Sequence, residues 1–119
     1  MSDNPALDPS AIANLRALSP DDPAFLRELI DIYLEDSPRR FAEIEASFAK
    51  NDGSTLVRAA HTIKGSSGNL GATHLARLAL EIEMHGKAGN LAAAAAVVPA
   101  LKDEFGRVRD ALRRLTGGP

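Results

Sequence analysis

The chain has 119 residues, enough for one domain with a single core and too few for a catalytic cleft between two lobes. Asp and Glu number 16 against 14 Lys plus Arg, a formal charge of -2, so no general field draws the chain to nucleic acid or anionic lipid. Aromatic residues are 4% and cysteine is absent, which leaves a core of Leu, Ile, Val and Ala and excludes disulfides, thiolate metal sites and cysteine nucleophiles.

Asp8-Pro9 and Asp22-Pro23 each set a capping carboxylate before a proline at a first helical position. The first helix is short, with Ile12, Leu15 and Leu18 on one side, and Ser19-Pro20-Asp21 ends it. The second carries Leu26, Leu29, Ile30 and Tyr33, meets Ser37-Pro38, and resumes with Phe41, Ile44 and Phe48. It reads as one long helix kinked at Pro38, with two separate helices as the alternative. Asn51-Asp52-Gly53 forms a turn, and Asp52 or Ser54 caps a third helix with Leu56, Ala60, Ile63 and Leu70 at bundle spacing.

Gly71 stops the third helix. A fourth follows with Leu75, Leu78, Ala79 and Ile82 at i, i+3, i+4 and i+7, then a turn over Gly86 to Gly89. From Asn90 the series Leu91, Ala95, Val98, Leu101, Phe105, Val108, Leu112, Leu115 keeps a seven-residue rhythm, with Pro99 as a kink. Asp103 with Arg107 and Asp110 with Arg114 supply i,i+4 ion pairs. No stretch alternates with period two, so the expected fold is all-α: an antiparallel up-and-down four-helix bundle with an additional short N-terminal helix. Residues 1–119 are read as a single domain, flexible over about 1–7 and 116–119. Neither a bilayer-length apolar run nor a basic-then-apolar leader follows Met1, which predicts a soluble cytoplasmic protein.

The third helix contains a stretch that stability alone does not explain, Ala60-His61-Thr62-Ile63-Lys64-Gly65-Ser66-Ser67-Gly68-Asn69-Leu70-Gly71-Ala72. Gly65 and Gly68 lie inside the apolar rhythm, and each costs about 1 kcal/mol relative to alanine in a helix interior. His61, Lys64, Gly65 and Gly68 fall at i, i+3, i+4 and i+7, on one stripe beside the buried one of Ala60 and Ile63. The imidazole is therefore expected on the outer surface with bare backbone next to it. Such a group suits phosphoryl transfer: a neutral imidazole has a free ring nitrogen to attack phosphorus, Lys64 brings a cation to the incoming oxygens, and Gly65 leaves room for a partner. A loose, in-line transfer needs positioning and charge neutralisation more than further acids and bases.

These residues resemble the histidine-containing phosphotransfer (HPt) domains of multistep two-component phosphorelays, whose motif runs His-x-x-Lys-Gly-Ser-Ser and then Leu-Gly-Ala. Phe25-Leu26, Leu29 to Ser37-Pro38, the Asn51-Asp52-Gly53 turn, Leu75 and Leu80-Glu81 look like the family's flanking pattern. The resemblance implies that His61 is phosphorylated, on Nε2, that Lys64 assists electrostatically, and that Gly65 keeps the ring accessible. Ser66, Ser67, Leu70, Gly71 and Ala72 would then be the helix end that holds this surface. It further implies receiver domains of response regulators or hybrid histidine kinases as partners, which supply the aspartate and a bound Mg²⁺; no cofactor or metal of the chain's own is expected. Val57, Arg58, Gly68 and Asn69 are the expected edge of the docking patch, and a monomer keeps that surface open.

Other residues carry blander readings. His74 and His85 are expected on the surface of the fourth helix, without ligands at metal-binding spacing, and the pair Glu81 and His85 is no site. Lys64-Gly65-Ser66-Ser67 has the phosphate-loop order reversed and follows no strand, so a nucleotide-binding enzyme is not expected. Arg107, Arg109, Arg113 and Arg114 read as the wet face of the last helix. The competing function is a non-phosphorylated adaptor that binds receiver or kinase domains, against which stands the intact set of His61, Lys64 and Gly65. Whether the chain stands alone or belongs to a larger kinase is open, with Met1 and the short polar start favouring a complete small protein.

Overall fold

The computed structural model describes residues 5–117. Of the ends expected to be flexible, residues 1–4 and 118–119 lie outside the described residues. Five helices follow one another, α1 (Pro9–Leu18), α2 (Pro23–Ala49), α3 (Gly53–Asn69), α4 (Thr73–Lys87) and α5 (Leu91–Leu115), and the described residues contain no strand. Four of the five starts are set by side chains, α4 being the exception: Asp8 accepts from the Ser10 amide at 2.9 Å, Asp22 from Ala24 at 3.0 Å, Asp52 from Thr55 at 3.1 Å and Asn90 from Ala93 at 3.0 Å. Asp52, rather than Ser54, caps α3. α2 runs through Pro38 as one helix, and α5 likewise through Pro99.

The last three joints share one design. Asn51, Gly71 and Gly89 take left-handed φ values of 54°, 79° and 76° just past their helices. The next amide, of Asp52, Ala72 or Asn90, donates back to the carbonyl of Ser47, Ser67 or His85 at 2.8, 2.9 and 2.9 Å. That same residue is the N-cap of the following helix, so each joint reverses the chain within two residues and neighbours run antiparallel. At Gly71 the backbone is also crowded, since an added Cβ would lie 2.9 Å from Ala11 Cβ and 3.0 Å from the Asp8 carbonyl oxygen. The Asp8 amide donates to the Gly71 carbonyl at 2.8 Å, and Ala6 and Leu7 pack on the core, so α1 is tied over the α3–α4 joint.

The core is built from one stripe of each helix: Ile30 and Ile44 of α2, Leu56 and Ile63 of α3, Leu75 and Ile82 of α4, Leu101, Val108 and Leu112 of α5. Phe105 joins them edge-on to Phe41, with ring centroids 4.9 Å apart. α3 packs between α2 and α4, with α5 across the bundle from it. Three apolar expectations fail. Leu18, in the last turn of α1, is 71% exposed, and Leu115 stands at the frayed end of α5. On α5 it is Ala94 that is buried while Ala95 faces solvent, because five successive alanines offer no contrast to fix the phase of the stripe. Gly86 is helical rather than part of a turn: a Cβ there would meet Val57 Cγ2 at 2.9 Å, so its bareness lets α4 close on α3. No helix among the described residues is long and apolar enough to cross a membrane.

Candidate functional site

Ala60 and Ile63 turn one side of α3 into the core, which forces His61 outward; its side chain is 65% exposed. Gly65 and Gly68 follow on the same face, and a Cβ at either would find nothing within 4 Å. Packing within the chain therefore gives no reason for these glycines, and bare backbone borders the imidazole.

The neighbouring helix supplies the decisive group. Glu83 of α4 has a side chain only 4% exposed, and three cationic or protonated groups converge on it. His61 Nδ1 lies 3.0 Å from Oε2, Lys64 Nζ 3.0 Å from Oε1, and Lys87 Nζ 3.3 Å from Oε2. Burial pushes the Glu83 carboxyl up, but hydrogen bonds from Lys64, His61 and Lys87 and the Lys64 charge outweigh it, leaving it below the usual carboxylate range. An ionised carboxylate only accepts hydrogen bonds, so Nδ1 carries the hydrogen and the Nε2 lone pair is left bare on an exposed ring.

Sequence reading brought His61, Lys64 and Gly65 together correctly as one surface but missed Glu83 and Lys87. A signal existed: Leu75, Ala79 and Glu83 are four apart, so a carboxylate sits on the buried stripe of α4. A charge at such a position needs partners, and it finds them in His61 and Lys64 of α3, packed against it, and in Lys87 one turn on along α4. Glu81, which drew attention instead, is exposed.

Ser67 is buried, and its hydroxyl pairs with the Tyr33 hydroxyl at 2.8 Å, pinning α2 to α3 one and a half turns beyond His61. Burial, opposed by hydrogen bonds with Ser67 and Ser37, pushes the Tyr33 phenol up to about 12. Ser66 donates to the Thr62 carbonyl at 3.0 Å. Of the expected docking edge, Arg58, Gly68 and Asn69 are exposed, whereas Val57 is half-buried against Gly86. On the α2 side of this face a hollow of about 520 Å³ reaches from Ser66 and Asn69 to Leu18, Phe25, Leu29 and Ile32, with Ile32 65% exposed. Among the described residues no group of three or more His, Cys, Asp or Glu is placed to hold a metal ion.

The geometry agrees with what comparison finds. Residues 28–111 match the Hpt domain family. The chain is also similar to the crystal structure of histidine-containing phosphotransfer protein B (HptB) from Pseudomonas aeruginosa PAO1, with a TM-score of 0.85 and 30% identity over 94% of this chain and 95% of that one. No curated protein sequence matches. A helical bundle, an exposed histidine in the family's motif and a match over most of the chain together make the assignment: this chain belongs to the Hpt domain family and is a histidine phosphotransfer intermediate of a phosphorelay.

Proposed function

We propose that His61 is the phosphoryl acceptor and works through Nε2, taking the group from a receiver-domain aspartate and passing it to another. The single observation that carries this reading is the bond from His61 Nδ1 to the ionised, buried Glu83, which leaves Nε2 as the nucleophilic nitrogen. In the forward step the bond between phosphorus and the aspartyl oxygen breaks as the Nε2–P bond forms, and the aspartate departs as a carboxylate. Lys64 and Lys87 give the site two positive charges against the single negative charge of Glu83, a net surplus that favours the incoming phosphoryl oxygens. Gly65 and Gly68 let the partner's aspartate approach.

The receiver brings Mg²⁺ and the carboxylate, so this chain needs neither a metal nor an ATP site, and it acts as a cytoplasmic monomer whose His61 face stays open. The receiver docks across α2, α3 and the end of α1, with its apolar contacts on Ile32 and Leu18 and its polar ones on Arg58 and Asn69.

The test is to incubate the chain and His61→Gln with a panel of phosphorylated receivers and Mg²⁺ and look for acid-labile, base-stable label. Label on the native chain and none on the variant is expected. Binding without label from any competent donor would leave the adaptor reading in its place.

A further inference from the structure

A hollow of about 880 Å³ lies between α1 and the C-terminal half of α5. Its walls are two helix faces, joined by Pro5, Ala6 and Leu7 of the stretch before α1. Pro9, Ile12, Ala13 and Arg16 of α1 are spaced i, i+3, i+4, i+7, and Arg107, Asp110, Ala111, Arg114 and Leu115 of α5 are spaced i, i+3, i+4, i+7, i+8. Two such faces side by side form a trough, the shape that receives a third helix by ridges into grooves.

Charge says which helix. The chain as a whole is at -2, yet this trough gathers three guanidinium groups. Its one carboxylate, Asp110, is bonded by Arg109 at 3.2 Å. Arg107 also holds the buried Glu104 at 2.8 Å, while Arg16 and Arg114 stand exposed at the rim. Arg107 and Arg114 are seven residues apart, roughly 10 Å along the helix. A second copy of this chain related by a two-fold axis would set arginine against arginine, so it is not the occupant.

We propose that this trough is a second protein-docking site, which takes an amphipathic helix of a partner whose apolar stripe is flanked by carboxylates two turns apart. Because α5 lies across the bundle from α3, a partner seated there leaves the His61 face open, and one molecule of this chain can hold a second protein while it exchanges phosphoryl groups.

The probe is a synthetic peptide of about four helical turns, with leucines at i, i+3, i+4, i+7 and glutamates seven apart beside them. It is titrated into isotope-labelled protein while amide shifts are followed. The expected result is saturable binding with shifts at Ala13 and Ala111, weakened roughly tenfold or more in Arg16→Glu/Arg114→Glu, and restored in that variant by a peptide with lysine for glutamate. Transfer to His61 in the double variant, unchanged from wild type, reports that the fold is intact and separates this site from the phosphotransfer reading. No binding, binding indifferent to the charge reversal, or shifts confined to the α2–α3 face would overturn the proposal.

Discussion

His61 Nδ1 and Glu83 Oε2 are 3.0 Å apart, across the seam between an exposed position on α3 and a buried one on α4. The bond has a chemical consequence beyond orientation. When Nε2 takes a phosphoryl group while Nδ1 keeps its hydrogen, both ring nitrogens are substituted and the ring is cationic. An adjacent carboxylate stabilises that cation, and a cationic ring leaves as neutral imidazole when the group moves on. Glu83 thus favours a phosphohistidine poised for transfer over one stored for long periods.

Glu83→Gln tests this directly. The amide oxygen can still accept from Nδ1, but the charge is gone and Lys64 and Lys87 lose their counter-ion. Single-turnover transfer from a phosphorylated receiver should slow roughly 10- to 100-fold, the range seen when a carboxylate that orients a metal-bound histidine is changed. The phosphorylated variant should also hydrolyse more slowly than wild type. A transfer rate equal to wild type would show that the charge on Glu83 is irrelevant to the chemistry.

Acid should act on the same residue. The folded-state pKa of Glu83 is lowered from 4.5, so its contribution to stability is fully present above pH 4.5 and is lost as pH falls through the folded value. Asp8 and Asp52, held down by their cap bonds to Ser10 and Thr55, change stability in the same direction. Denaturant titrations of wild type and Glu83→Gln at a series of pH values isolate the Glu83 part: the gap between them should narrow below pH 4.5. A gap that stays constant would mean the carboxylate titrates alike in the folded and unfolded chains.

How much of this was visible in the sequence depends on the kind of information each residue carries. Asp8-Pro9 and Asp22-Pro23 mark helix starts by local chemistry, and both hold; of Asp52 and Ser54, it is Asp52 that caps α3. The face of His61 followed from its phase against Ala60 and Ile63. Where local contrast vanishes, as among alanines 92–96, the phase was misread. Gly86 resembled a turn residue because sequence does not show that Val57 leaves no room for its Cβ. Glu83 is 22 residues from His61, and their pairing is a fact of tertiary packing that periodicity within one helix does not report.

The Tyr33–Ser67 bond should be structural. Tyr33→Phe leaves the Ser67 hydroxyl buried without that partner, and should destabilise the fold by about 1–3 kcal/mol in denaturant unfolding. Since the bond lies away from the reactive ring, transfer from a saturating phosphorylated receiver should change little at a temperature where the variant is folded. A large loss of transfer without loss of stability would mean that Tyr33 positions His61 or its partner.

Gly65 and Gly71 should respond in opposite ways to the same substitution. A Cβ at Gly65 meets nothing within 4 Å, so Gly65→Ala should stabilise the helix by up to about 1 kcal/mol. It should also slow phosphotransfer, because the methyl group projects from the face where the partner approaches. At Gly71 the left-handed φ of 79° costs an alanine roughly 1–2 kcal/mol, and its Cβ would be 2.9 Å from Ala11 Cβ. Gly71→Ala should therefore lower stability by at least that amount and loosen α1, whose start is tied to the Gly71 carbonyl. Thermal melts paired with transfer assays separate the two: one variant more stable and slower, the other less stable with near-normal transfer when folded. If Gly65→Ala proved both more stable and equally fast, the bare backbone beside His61 would not serve access, and the reason for a glycine there would have to lie outside phosphotransfer.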